Sequence, residues 1–175
     1  ELVQTGQQNI ALGCPYAKSH QPASNFQDTN NAEFTNGNLT QGYESGEGFG
    51  YEHSQLGVPD GGVGTLEITV DLGQERWIQK AVLHSGAGDA SYRADSVEIL
   101  TSVDGVNFVS QGSSSTPVNT WEHHISFLAK ARYVKFRITK DFAPAGQPGD
   151  WLFIVEGQVI EAPYVETGSR VSPVL

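Results

Sequence analysis

The 175 residues read as an all-β chain, a β-sandwich of antiparallel strands with little or no helix, and three observations predict it. In Ser96-Val-Glu-Ile-Leu-Thr-Ser-Val-Asp-Gly-Val-Asn-Phe108, Val97, Ile99 and Thr101 alternate with Glu98, Leu100 and Ser102, the period of two that marks a strand in a sheet. No segment carries apolar residues at helical spacing over three turns. Twenty glycines, abundant Asn, Ser, Thr and Gln, and only 17% charged residues make a composition of many turns and polar strand faces. Strands with one apolar face need a second sheet to cover them, so two packed layers are expected, with the chemistry in the loops between strands.

In chain order, residues 1–8 are polar and read as a linker end, and Asn9–Tyr16 as a short edge strand broken by Pro15. From Ser19 to Gly64 almost every residue is a turn former, and a loop of that length inside a compact domain is either functional or held together by something else. Thr65–Leu72 places Leu66, Ile68, Val70 and Leu72 on one face and ends at Gly73. Trp77–His84 is the next strand, followed by the Gly-rich loop 85–93. The segment 96–108 forms a hairpin, in which Asp104-Gly105 supplies a tight turn into Asn107-Phe108-Val109, and a Ser-rich loop follows at 110–116. Trp121–Phe127 and Ala131–Thr139 are strands, the latter with Val134, Phe136 and Ile138 on one face and Tyr133, Lys135 and Arg137 on the other. A Pro- and Gly-rich loop, 141–150, leads to a last strand at Trp151–Ile160. One domain over residues 9–162 is expected, with 163–175 as a linker or tail.

A formal charge of -10 repels phosphate backbones and anionic lipid heads, so neither nucleic acid nor a membrane surface is an expected partner, and an uncharged ligand or a cation fits better. The single cysteine, Cys14, excludes an internal disulfide and reads as a buried free thiol. There is no apolar run long enough to span a membrane and no signal peptide at the start, so any export signal is expected to have been removed. The absence of methionine is expected of an excised fragment, and the composition is that of exported modules rather than cytosolic enzymes.

Six separated segments together resemble one family. Asn9-Ile-Ala-Leu-Gly, Glu33-Phe-Thr-Asn-Gly37, Ile68-Thr-Val-Asp-Leu-Gly73, Ser96-Val-Glu-Ile-Leu-Thr-Ser with Asp104-Gly105, Ala131-Arg-Tyr-Val-Lys-Phe136 and Trp151-Leu-Phe-Ile-Val-Glu156 are similar, in this order, to the landmarks of discoidin-type (coagulation factor five/eight C-type) domains. The nearest branch is that of the bacterial galactose-binding-like carbohydrate-binding modules of secreted polysaccharide-degrading enzymes. The resemblance implies a jelly-roll β-sandwich that is not itself an enzyme, binds a polysaccharide or other glycan through loops at one end, and acts as a monomeric module beside a catalytic domain of the same parent chain, outside the cell. It also implies a structural calcium that orders the long 19–64 loop, held by the carbonyl of Phe34, the side chain of Asn36, an oxygen of Asn38 or Thr40, and Glu156. Calcium takes oxygen ligands, main-chain carbonyls included, so a loop of turn formers suits it. Asn36 stands where the family has Asp, which removes a charge and weakens such a site.

A sugar site in water needs a flat aromatic surface for the C–H face of a pyranose and fixed donors and acceptors for its hydroxyls. Three loop groups carry these types: Tyr51 with His53, His84 with Tyr92 and Arg93, and Trp151 with Gln147 and Asp150. Trp77 and Trp121 lie within strand patterns and read as core residues. His123-His124 does not read as a metal pair, because neighbours on a strand face opposite ways. The carboxylate pairs Glu44 with Glu47 and Asp141 with Asp150 read as exposed loop charges, and no nucleophile elbow, His-Glu metal motif or phosphate loop is present. The competing reading is a structural spacer or protein-interaction domain that uses the same fold without a sugar site.

Overall fold

The computed structural model describes residues 7–40 and 48–163, so the carboxylate pair Glu44 and Glu47 and most of both termini lie outside the described residues. Among the described residues seven antiparallel strands are formed: β1 (Tyr16–Lys18), β2 (Phe49–Glu52), β3 (Val63–Ser85), β4 (Ser96–Ser102), β5 (Val109–Ser114), β6 (Glu122–Asp141) and β7 (Trp151–Glu161). Their hydrogen-bonded order is β2-β7-β3-β6-β4-β5, with β1 added on β3. Helical structure among the described residues is limited to short 3-10 turns such as Glu33–Thr35 and His53–Leu56.

The segments 65–72 and 77–84 are one strand, not two, and so are 121–127 and 131–139. β3 and β6 pair along their whole length, but the register slips between Asp71/Tyr133 and Arg76/Ala131, leaving residues 72–75 bulged opposite Arg132. A bulge bends the strand that carries it, and here it turns both strands from one layer into the other. Arg132 closes the bend, its Nε and Nη2 each donating to the Asp71 carboxylate at 2.8 Å. That guanidinium holds the Asp71 carboxyl below its ordinary range. One layer therefore contains β1, the first half of β3, the second half of β6, β4 and β5; the other contains the first half of β6, the second half of β3, β7 and β2.

Between the layers lies one core. Leu66, Ile68, Val70, Val97, Ile99, Val134, Phe136 and Ile138 meet Ala81, Leu83, Ile125, Leu152, Ile154 and Val159, the alternation that period two requires. On the outer face, Lys135 and Arg137 both bond Glu67 at 2.9 Å, and Arg137 reaches Glu98 at 2.9 Å.

The hairpin differs from expectation in its return strand, which is Val109–Ser114 and takes in most of the supposed Ser-rich loop. The Asp104 carboxylate accepts from the amides of Val106 and Asn107, the Asn107 side chain and the Ser102 hydroxyl, and winds residues 103–108 into a longer loop. Those donors hold its carboxyl well below the carboxylate range. Gly105 takes φ +76°, the conformation that Asp-Gly was expected to supply.

Two features of the N-terminal third were not expected. Asn9–Pro15 is a loop with a single bridge, Asn9 to Ile160, rather than an edge strand. β2 lies inside the turn-rich 19–64 stretch. Much of that stretch is pinned by Asp28, which accepts from Tyr16 Oη at 2.7 and 2.8 Å and from the amides of Ala32 and Glu33 at 3.1 Å, and pairs with Lys18. Phe34 then enters the core, edge-on to Tyr16 at 5.4 Å and to Phe136 at 5.2 Å.

Candidate functional site

Loops 53–62, 85–95, 117–121 and 141–150 gather at one end of the sandwich, beside the start of β7. Period-two alternation along β7 turns Leu152 and Ile154 into the core and Trp151, Phe153 and Val155 to the opposite face. There the Trp151 ring stacks on Phe153 with centroids 5.6 Å apart and planes 26° from parallel. Phe26 stands edge-on to both, at 5.1 and 4.9 Å, and Tyr92 tilts against Phe153 at 5.7 Å. Phe153 itself is buried, so it anchors the group, while Trp151 keeps part of its indole in solvent.

The loop from β3 into β4 is held on both sides. Gly86 N–H donates to Phe153 O at 2.9 Å, and Ser85 N–H to Trp121 O at 3.0 Å. The Asp89 carboxylate accepts from Ser91 N–H at 2.8 Å and Ser91 Oγ at 2.7 Å, which starts the 3-10 turn Ala90–Tyr92. The ammonium of Lys140, only 4% exposed, donates to Ser91 O at 2.7 Å and Arg93 O at 3.1 Å. Burial lowers the Lys140 pKa, and nearby Asp95 opposes the shift. The neighbouring loop is tied down by Ala145 N–H to Asp60 at 2.8 Å and Gly146 N–H to Asp150 at 2.7 Å. Its exposed tip carries Gln147.

Four of the expected ligand residues, Tyr92, Arg93, Gln147 and Trp151, stand together on this end with at least part of each side chain in solvent. Arg93 directs Nη1 at Thr120 O, at 3.4 Å, rather than at Asp89 or Asp95. His53 is half-buried in the turn that follows β2, its Nδ1 3.0 Å from Val58 O and its Nε2 3.9 Å from Asp60.

Tyr51 and His84 are corrected. Tyr51 is wholly buried, its ring against Phe49 at 6.0 Å and its hydroxyl donating to His20 O at 3.1 Å, because β2 turns it into the core. Burial raises its pKa far above the phenol range. His84 ends no loop: it lies within β3, 4% exposed, with Nε2 3.2 Å from Gln158 Oε1 and Nδ1 3.5 Å from Glu122. Burial pulls its pKa down.

Phe26 and Phe153 were missed. Phe153 was legible from the alternation of β7, whereas nothing in the turn-rich sequence around Phe26 marks it. His123 and His124 do face opposite ways, His123 buried with Nε2 3.2 Å from Ala94 O and His124 outward, 2.7 Å from Glu122. Cys14 is partly buried, its thiol donating to Ile10 O at 3.3 Å, and burial raises its pKa.

The residues expected around calcium lie along the side of the sandwich. Glu156 is completely buried; Oε1 accepts from Gly37 N–H at 3.1 Å, and Oε2 has no hydrogen-bond partner among the described residues. Burial pushes its carboxyl up to about 8, with the Gly37 and Asn36 amides opposing. Asn36 Oδ1 accepts from Asn38 N–H at 2.7 Å and Asn38 Oδ1 from Thr40 N–H at 2.9 Å, so both side chains wind the loop that passes the carboxylate. A buried acidic oxygen without a donor, next to a loop of amide and carbonyl oxygens, fits a hard cation. The Phe34 ring is core, so only its carbonyl remains available as a ligand.

No curated protein sequence matches the chain. Solved structures of similar fold include the lectin domain of lectinolysin complexed with Lewis B antigen, 19% identical over 89% of this chain and 97% of that one, with a TM-score of 0.64. A fucose-binding module of Streptococcus pneumoniae is 17% identical over 92% of this chain and 100% of its own, with a TM-score of 0.62. CpGH89CBM32-5 from Clostridium perfringens, in complex with GalNAc-β-1,3-galactose, is 16% identical over 88% of this chain and 99% of its own, with a TM-score of 0.60. The model of the F5/8 type C domain matches residues 20–156, from the turn-rich loop through the last strand to the buried Glu156. With that match covering most of the chain and the seven strands arranged as a discoidin-type sandwich, the protein belongs to the F5/8 type C domain family.

Proposed function

We propose that this domain is a non-catalytic carbohydrate-binding module that holds an attached extracellular enzyme or surface protein on a polysaccharide. The observation that carries this reading is Trp151, a partly exposed indole braced by Phe153 and Phe26 at the end of the sandwich where the loops of Arg93 and Gln147 also lie. The indole offers an apolar plane to the C–H face of a pyranose, and the Arg93 fork and the Gln147 amide offer donors to vicinal hydroxyls. Similar folds that bind Lewis B antigen and GalNAc-β-1,3-galactose support the ligand class. Binding raises the effective concentration of the attached protein near its substrate, so a modest affinity per site suffices. His53 belongs to the rim of this site.

In the same reading the domain carries a structural calcium at Glu156, with the Phe34 carbonyl, the Asn36 side chain and oxygens of Asn38 or Thr40 as the other ligands. The ion would supply charge to the buried carboxylate and order the loop after Phe34.

Retention of the isolated domain on immobilised polysaccharides, together with a glycan array, tests the proposal. Native protein is expected to be retained and a Trp151→Ala, Arg93→Ala variant to be retained markedly less. Failure of the native protein to bind any galactose-, uronate- or glucose-type glycan would overturn the assignment and leave the spacer reading.

A further inference from the structure

Trp77 was expected in the core, but its side chain stands 49% exposed on the outside of the second layer. It opens the second half of β3 where Ser85 closes it, so eight residues, about 26 Å at strand rise, separate it from the loop cluster at Trp151. The strand is fixed there: Trp77 lies opposite Lys130 of β6, and Ala162 N–H donates to Trp77 O at 2.8 Å. Beside the indole runs a groove of about 400 Å³, lined also by Leu128, itself 69% exposed, and by Arg76 and Glu161.

The charges of this groove cancel locally. Arg76 Nε and Nη2 converge on one oxygen of Glu161, at 2.7 and 2.6 Å, and Lys130 pairs with Glu75 at 3.1 Å. Two cations and two anions leave no net charge, in a chain whose total is -10. A charged occupant would have to break one of these pairs, whereas an uncharged one need not. Both Arg76 nitrogens meet Oε1, so Glu161 Oε2 takes part in neither bond and is an acceptor for a hydroxyl, with the remaining guanidinium N–H groups as donors. An exposed indole, a neighbouring leucine and a fork of fixed donor and acceptor describe an amphipathic, uncharged, hydroxyl-bearing ring.

We propose that the Trp77 groove is a second glycan-binding site, for one or two neutral pyranose units, with Trp77 as the stacking surface and Arg76 and Glu161 as hydroxyl partners. It takes its ligand class from the loop-end reading but none of its residues. With sites at both ends of the second layer, one domain bridges two glycan chains, or two stretches of one chain.

The three tryptophans give three indole N–H resonances in an ¹⁵N-labelled sample, assignable from Trp77→Phe, Trp121→Phe and Trp151→Phe variants. The native domain is titrated with fucose, Lewis b, GalNAc-β-1,3-galactose and chitotriose. The Trp77 resonance is expected to shift and saturate with at least one probe, and to do so equally in Trp151→Ala. Arg76→Ala is expected to weaken the affinity reported by Trp77 about fivefold, the loss of one or two net hydrogen bonds, and to leave that reported by Trp151 unchanged. A Trp77 response with a silent Trp151 would sink the loop-end site and support this one. The proposal is overturned if Trp77 is unmoved by every probe, if its response vanishes in Trp151→Ala, or if it shifts only with protein concentration, which would make the groove a contact between copies of the chain.

Discussion

The amide of Gly37 donates to Oε1 of Glu156 at 3.1 Å, joining two residues 119 positions apart in the sequence. Together with the Asn36 amide, that bond fastens the loop after Phe34 to β7, and the carboxylate it uses forms no ion pair among the described residues. Burial raises the Glu156 carboxyl from 4.5 to about 8. Between those values the folded chain keeps a proton that the unfolded chain has released, so this group's contribution to stability falls as pH rises from about 4.5 to about 8. In a chelator, Glu156→Gln is therefore expected to melt higher than the native domain at about pH 8.5 and to match it at about pH 4, as followed by differential scanning fluorimetry. Calcium should raise the native melting temperature most at the alkaline end and leave the Gln variant unmoved. Native protein indifferent to calcium across the whole range would refute the ion.

Phe34 packs directly over Gly157. A Cβ on Gly157 would come within 2.2 Å of Phe34 Cζ. The ring is wedged against Phe136 and cannot retreat, so Gly157→Ala is expected to cost about 1–3 kcal/mol, or more, as overpacking does. Urea denaturation measures it. Pairing the change with Phe34→Leu should return part of the loss, and a change within about 0.5 kcal/mol of native would contradict the packing described here.

Lys140 holds the loop from β3 into β4 from behind. Its removal as Lys140→Met leaves the Ser91 and Arg93 carbonyls short of a donor, at about 1–3 kcal/mol for each that stays buried. Amide exchange across residues 89–95 is expected to quicken well before the rest of the sheet, and glycan affinity to drop although residue 140 touches no ligand. Unchanged exchange in that loop would show that Asp89 and Gly86 hold it unaided.

Trp151 and Tyr51 separate surface from core. Trp151→Ala is expected to weaken glycan retention to what the Trp77 groove supplies while costing only about 1 kcal/mol of stability from the lost stacking on Phe153. Tyr51→Phe removes the hydroxyl bonded to His20 O and should cost about 1 kcal/mol with retention intact. The opposite pattern would restore Tyr51 to the site.

The strands legible in the sequence were those with an apolar face to bury: 65–72, 77–84, 96–102 and 131–139 announce themselves because Leu66, Ile99 and Phe136 alternate with polar neighbours. β5 was not legible, since Val109–Ser114 is largely exposed and an edge strand needs no apolar period. β2 was not, because its four residues include Gly50, where Phe153 packs so close that a Cβ would come within 2.7 Å. The joining of short strands into β3 and β6 depends on a bulge at 72–75 and a cross-strand clamp, Arg132 to Asp71, that no local pattern encodes. At the candidate site, the exposure of Arg93 and Gln147 in loops and of Trp151 at the start of β7 could be anticipated from residue type and position. The burial of Tyr51 and His84 could not, because aromatic and histidine side chains at strand ends are as often inside as out, and the choice is made by pairing with β7 and β6.

That the same two strands serve both layers has a consequence for how the domain comes apart. Layers linked only by side chains can separate and melt one after the other. Here each layer owns half of β3 and half of β6, so a break in either travels through the bend into the other, and unfolding is expected to be a single cooperative event. The reverse process is expected to be slow to begin, because even the nearest rung of the long ladder, His84 with Glu122, joins residues 38 positions apart. Once formed, the ladder keeps Trp77 and the Ser85 loop on one continuous strand, so the spacing between the two ends of the second layer is set by backbone pairing rather than by side chains.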